Sequence, residues 1–166
     1  MSVYQLAQLN IGVIKAAMDS PVMADFAGNL DRINALAEST PGFVWRLQTE
    51  DGNATSIRPF QNENMLVNMS VWRDMQALID YVYRSAHVEL MRRRNEWFER
   101  MNEAFLVLWW IPAGHQPSVA EALARLEVLR AKGPTPEAFT FRHAFPAPDV
   151  AQNQVKAAFK DECPAT

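Results

Sequence analysis

The patterned segments run strand, helix, strand, strand, helix, strand and then a further helix. This order predicts an α+β fold: a ferredoxin-like βαββαβ unit with an antiparallel sheet, helices against one face and an extra C-terminal helix. Two other observations agree with it. The 166 residues are one domain's worth of chain, given roughly 100–200 residues per domain. A composition of 49% hydrophobic and 21% charged residues belongs to a folded globular body, not to a disordered chain or a coiled coil. Residues 1–146 are assigned to this single domain and 147–166 to a C-terminal tail.

Each element has its own local signal. The segment from Tyr4 to Ile11 alternates, with Tyr4, Leu6 and Gln8 on one side and Gln5, Ala7, Leu9 and Ile11 on the other, as a strand does. Asp19-Ser20-Pro21 supplies a helix start with Asp19 or Ser20 as cap. Met23, Phe26, Leu30, Ile33, Leu36 and Ala37 then recur at three- and four-residue steps until Ser39-Thr40-Pro41-Gly42 ends the helix. Residues 42–48 read as a second strand, with Phe43, Trp45 and Leu47 on one face. A turn at Glu50–Asn53 and a loop over 58–64 lead to a third strand over 65–72, with Asn68, Ser70 and Trp72 on one face. Asp74 caps a helix over Met75–Val82. After a bend at Ser85, helical spacing resumes through His87, Leu90, Met91, Arg94, Trp97 and Phe98.

The nearly unbroken apolar run Ala104–Ile111 predicts a strand covered on both faces. Ser118 with Glu121 forms a capping box for a helix whose stripe is Val119, Leu123, Leu126 and Leu129, stopped by Gly133-Pro134. Phe139–Arg142 is read as a short last strand, and Val150–Thr166 as a loose helix or tail. A sheet with helices on one face leaves the other face to be covered. A second copy of the chain, packed sheet on sheet, is the economical cover, which predicts a homodimer.

Charge and composition exclude several classes of function. A net charge of -3 and a pI near 5.6 give no general attraction to nucleic acid or to an anionic membrane surface. The single cysteine, Cys163, has no partner for an internal disulfide, and the start of the chain lacks the basic and apolar regions of a signal peptide. No apolar stretch reaches the roughly 18 residues of a membrane span. Together these predict a cytoplasmic protein. The three histidines lack metal-ligand spacing, so no metal site is expected, and there is neither a phosphate loop nor a nucleophile elbow. All five tryptophans lie between Trp45 and Trp110, as a heavy core or an aromatic-lined cavity would place them.

Several stretches resemble one bacterial family: residues 4–10, 35–46 and 83–87, Met91-Arg92-Arg93-Arg94 with Glu96-Trp97-Phe98, and Trp109–His115. The family is DUF3291, itself similar to the antibiotic-biosynthesis-monooxygenase superfamily of dimeric α/β barrels. That resemblance covers roughly residues 3–146. It implies a pocket between sheet and helices, and relatives that are cofactor-independent oxygenases of polycyclic aromatic metabolites, haem-degrading enzymes or small-molecule binders. The haem-degrading pattern of a strand Asn, a helix Trp and a helix His is met at Asn10. Tyr81 stands near the Trp position, however, and His87 falls earlier in its helix.

On this basis the chain is expected to be a small-molecule enzyme acting on an aromatic or polyketide-like metabolite by His-assisted proton transfer, without a cofactor. The expected catalytic residues are His87 as base, with Arg94 or Asn68 stabilising an enolate oxygen. The expected substrate-binding residues are Trp45, Trp72, Tyr83, Arg84, Met91 and Trp109. Each has a plainer reading as well: His87 as a half-buried structural histidine, Arg94 as half of an ion pair, and the tryptophans as core. Of Arg92, Arg93 and Arg94, consecutive helical positions send two toward solvent or toward Glu89 and Glu96, and one inward. The alternatives are a haem protein with His87 as axial ligand, or a dimeric ligand-binding module without catalysis.

Overall fold

A computed structural model describes residues 2–48, 64–84 and 87–150. The turn at Glu50–Asn53, most of the 58–64 loop, the Ser85 bend, Cys163 and the tail from residue 151 onward lie outside the described residues.

Four strands form one antiparallel sheet: β1 (Tyr4–Val13), β2 (Phe43–Arg46), β3 (Met65–Trp72) and β4 (Leu106–Pro112). Their order, β2-β3-β1-β4, is that of the ferredoxin-like plan. The helices are α1 (Ala24–Ser39), α2 (Met75–Arg84), α3 (His87–Arg92), α4 (Arg94–Trp97) and α5 (Val119–Lys132). Among the described residues no helix is long and apolar enough to cross a membrane.

Strand alternation divides the sheet into two faces. Ala7, Leu9 and Ile11 of β1, Val67, Met69 and Val71 of β3, and Val107, Trp109 and Ile111 of β4 share one face, buried against Ala122, Leu126 and Leu129 of α5. Burying each of the Val, Leu, Ile and Met side chains among them stabilises the fold by about 1.5–3 kcal/mol. The extra helix therefore packs within the chain onto the face that sequence reasoning left for a second copy. Ser118 caps its start, the Glu121 amide donating to Ser118 Oγ at 3.1 Å, while the Glu121 carboxylate pairs with His115 instead of completing the expected capping box. At its end the Gly133 amide reaches the Leu129 carbonyl at 2.9 Å, with Gly133 at φ 73°, a value that favours glycine.

The other face carries Leu6, Gln8, Asn10 and Gly12 of β1 beside Leu66, Asn68, Ser70 and Trp72 of β3, in the register Leu6↔Trp72, Gln8↔Ser70 and Asn10↔Asn68. Its Leu6–Trp72 end packs in one apolar cluster with Ala37, Ala77, Leu78, Val82, Leu108 and Phe139.

The structure corrects four local expectations. Phe43 and Trp45 do not share a face, because β2 carries a bulge between them: Phe43 pairs with Trp72, Trp45 with Val71 and Arg46 with Ser70. Trp45 thus joins the α5 side, while Phe43 and Arg46 turn to the other. Ser20 makes no side-chain cap; its hydroxyl donates to the Ala17 carbonyl, and a short 3-10 turn, Pro21–Met23, precedes α1. The Phe139–Arg142 strand reduces to one bridge, in which Phe139 and Leu108 exchange backbone hydrogen bonds at 2.8 and 2.9 Å. The helical stretch after residue 86 divides into α3 and α4. Asp74 does cap α2, accepting from the Ala77 amide at 2.9 Å. Just past residue 146, Ala147 is buried and Asp149 accepts from the Ser2 hydroxyl and the Val3 amide, which ties this part of the chain to the domain.

Candidate functional site

A cavity of about 390 Å³ opens between the polar part of the second face and helices α1 to α4. Small-molecule sites commonly enclose roughly 300–1,000 Å³. Its floor is Gln8, Asn10, Gly12, Leu66, Asn68 and Ser70 from the centre of the sheet, with Arg46 at the β2 edge. Phe26, Leu30, Ile33 and Asn34 of α1 form one wall. Leu78, Tyr81 and Val82 of α2 and His87, Leu90 and Met91 of α3 form another, and Arg94, Trp97, Phe98 and Phe105 close the end.

The floor is a hydrogen-bonded row. Gln8 Nε2 donates to Asn68 Oδ1 at 2.7 Å and to Ser70 Oγ at 2.8 Å, while Gln8 Oε1 accepts from Asn10 Nδ2 at 3.4 Å. Trp72 Nε1 also donates to Ser70 Oγ, at 2.8 Å. Gln8 and Ser70 are buried polar side chains, and such groups require partners. Here the partners are one another.

His87 sits at the end of an aromatic row. Phe43 meets Trp72 edge-on at 5.5 Å between centroids, Trp72 stacks on Tyr81 at 4.9 Å, and Tyr81 tilts against His87 at 4.8 Å. Burial lowers the His87 pKa below its ordinary value, against a smaller opposing effect of a hydrogen bond to the Val82 carbonyl, so the ring is neutral at neutral pH. Burial also raises the Tyr81 phenol, partly offset by the charge of Arg46, so the phenol stays protonated.

The three arginines divide as helical geometry implies. Arg92 lies 3.8 Å from Glu89 at the surface, and Arg93 contacts both Glu96 and Asp25 at 2.8 Å. Arg94 turns inward. Its guanidinium lies over the Phe98 and Phe105 rings at 4.7 and 4.6 Å, and Nη2 donates to the Ile11 carbonyl at 3.3 Å. Among the described residues no carboxylate pairs with it. Gly12 gives it room: a Cβ there would lie 2.5 Å from the Phe98 ring and 3.3 Å from Arg94 Nη2.

A model of the family described as a domain of unknown function, DUF3291, matches residues 5–156. The chain belongs to the DUF3291 family. No curated protein matches the sequence. Among solved structures, it is similar to SnoaB, a cofactor-independent oxygenase from Streptomyces nogalater, at 17% identity and a TM-score of 0.45, over 68% of this chain and 95% of that one. It is also similar to NE2512, a protein of unknown function from Nitrosomonas europaea, at 12% identity and a TM-score of 0.44, over 70% and 97%. Rv0793 from Mycobacterium tuberculosis follows at 14% identity and a TM-score of 0.43, over 69% and 99%. None of these overlaps is close enough to carry chemistry from one chain to another.

In this DUF3291 chain, His87, Arg94, Asn68, Tyr83 and Met91 all line the one cavity. The tryptophan wall does not form. Trp109 is fully buried on the α5 side, because it pairs with Ala7 on the opposite pleat from Asn68. Trp45 packs into the same cluster because of the β2 bulge. Trp72 is on the cavity face but lies fully buried beneath Tyr81, and it acts on the floor only through Ser70. Arg84 is the last residue of α2, and its side chain lies outside the described residues. His115 pairs with Glu121 at 2.8 Å on the surface, away from the cavity.

Among the polar and glycine positions of the lining, four carry no weight in the sequence reading: Gln8, Gly12, Arg46 and Asn34. For Gln8 and Gly12 the signal was present, since Gln8, Asn10 and Gly12 are polar or small at alternate positions of an otherwise apolar strand. Arg46 was hidden by the bulge.

Proposed function

We propose that this DUF3291 protein is a small-molecule enzyme that removes a proton from an aromatic or polyketide-like carbon acid held in the sheet–helix cavity. The observation that carries this reading is the meeting of His87, Arg94 and the Gln8-Asn68-Ser70 row on one cavity whose remaining walls are largely apolar. A neutral imidazole on the cavity wall has the basic nitrogen that a general base requires. Proton removal beside a carbonyl places negative charge on oxygen. Side-chain N–H donors fixed before the reaction stabilise that charge without reorganising. The apolar walls of α1 and α3 keep water from the carbanion.

The carbanion is itself a reductant, so dioxygen is the only co-reactant needed for the monooxygenase-type outcome. A ring CH₂ becomes C=O as one oxygen atom is retained, and the second leaves as water with both hydrogens.

A hydroxyanthrone tests this, because its CH₂ between two aromatic rings is a carbon acid of the required shape. Exchange of that CH₂ into deuterated buffer without oxygen, and oxygen uptake in air, are both expected to exceed the buffer rates. Exchange in His87→Gln should fall by about 10²–10⁴-fold, the usual range for a general base. Exchange no faster than in buffer, or unchanged in His87→Gln, overturns the reading.

A further inference from the structure

The polar atoms of the cavity are unbalanced in a way that identifies its ligand further. Two cations line it, Arg46 and Arg94, and among the described residues no aspartate or glutamate does. Arg46 has a counter-ion, since its Nε meets Glu38 Oε1 at 2.8 Å. Arg94 has none among the described residues. Its contacts are two aromatic faces and one backbone carbonyl at 3.3 Å, which occupy little of a guanidinium with five N–H donors. A cation taken partly out of water without a counter-ion is costly, and a carboxylate or similar anion presented to the planar fork relieves that cost with paired hydrogen bonds.

The floor has the same polarity. Asn68 Oδ1 is occupied by Gln8, which leaves the Asn68 amide to offer N–H donors. Ser70 Oγ already accepts from both Gln8 and Trp72, so its own O–H is what it has left to give. Gln8 is thus a positioning residue that sets the direction of both.

We infer that the natural ligand is an aromatic acid, its anionic group seated on Arg94 and its remaining oxygens accepting from Asn68 and Ser70. This rests on the reading that the cavity is the ligand site, and it separates two roles that the sequence left joined. Arg94 holds a charge the ligand brings with it, while Asn68 faces the oxygen on which charge develops.

The test uses two fluorescent probes that share one aromatic frame: 8-anilino-1-naphthalenesulfonate, an anion, and uncharged N-phenyl-1-naphthylamine. The wild-type protein should bind the anion more tightly by about tenfold or more, a difference of ~1.4 kcal/mol. Arg94→Met should erase that preference by weakening the anion alone, and Arg94→Lys should keep part of it. Arg46→Met, which removes the arginine already paired with Glu38, should leave most of it. Equal binding of the two probes by the wild-type protein overturns the inference, as does a preference that survives Arg94→Met or disappears only with Arg46→Met. The wild-type comparison stands even where a variant fails to fold. The two readings also fail separately: lost probe preference with intact His87-dependent exchange removes only the acid, and intact preference with His87-independent exchange removes only the proton transfer.

Discussion

The two faces of β1 are built from interleaved residues of one strand and behave as different materials. Ala7, Leu9 and Ile11 point into an apolar layer covered by α5, with a buried centre flanked by partly buried apolar side chains such as Trp45, Met65 and Leu123. Leu6, Gln8, Asn10 and Gly12 point the other way, and between Gln8 and Gly12 the layer opens into the cavity. One pleat spends its residues on packing and the next on presenting hydrogen-bond donors. Stability and ligand recognition therefore lie one residue apart in sequence and on opposite sides of the sheet.

The largest effect that would separate the two faces comes from the α5 side. Leu126→Ala removes a fully buried α5 side chain from the layer and should lower unfolding free energy by about 2–5 kcal/mol in urea titrations. Affinity of the folded protein for the sulfonate probe should be unchanged. A loss of affinity there would mean that the faces are not independent.

On the cavity side, Gly12→Ala places a methyl group 2.5 Å from the Phe98 ring and 3.3 Å from Arg94 Nη2. Because Phe98 is itself buried, the ring and the guanidinium must both shift, at about 1–3 kcal/mol of stability. Here probe affinity should fall together with the melting temperature, in contrast to Leu126→Ala.

The smallest effect is the pH dependence contributed by His87. Its folded-state pKa lies below the unfolded value because burial disfavours the imidazolium. As pH falls through the ordinary imidazole range, near ~6.5, the unfolded chain takes up a proton that the folded chain does not. Stability should then decrease by no more than about 1.4 kcal/mol per pH unit for this one group. The decrease stops once the folded-state pKa is passed, and above the ordinary range His87 contributes none of the slope. Comparing His87→Gln with wild type from pH 8 to pH 5 isolates it, and parallel stability curves would show that the ring is not desolvated.

Much of this arrangement was legible in the sequence, and what was not has a common cause. Alternation within β3 set Asn68, Ser70 and Trp72 on one face, and helical spacing turned Arg94 away from Arg92 and Arg93. Both are local in sequence: the first lies within one strand and the second spans the short junction between α3 and α4. The face taken by Trp45, the cover over Val107, Trp109 and Ile111, and the shortened last strand at Phe139 all depend on pairings between distant segments. The Val44 bulge exists only relative to β3, and nothing in residues 43–48 announces it. Tryptophan content misled for the same reason: Trp45 and Trp109 serve the α5 layer, and of the five tryptophans only Trp97 lines the cavity. Gln8, a polar residue in an apolar strand, was the better indicator.

The bridge at Phe139 has one more consequence. β4 is an outermost strand, and an apolar outer strand with free backbone groups is a template on which another chain can add. Phe139 occupies the outward amide and carbonyl of Leu108 with a matched pair of hydrogen bonds, near the middle of β4, and its own ring is buried in the layer below. A single residue therefore interrupts the strand's free edge at its centre, leaving only short unprotected lengths on either side. The segment that reads in sequence as a short last strand thus occupies the outer strand's backbone at the point where another strand would otherwise pair.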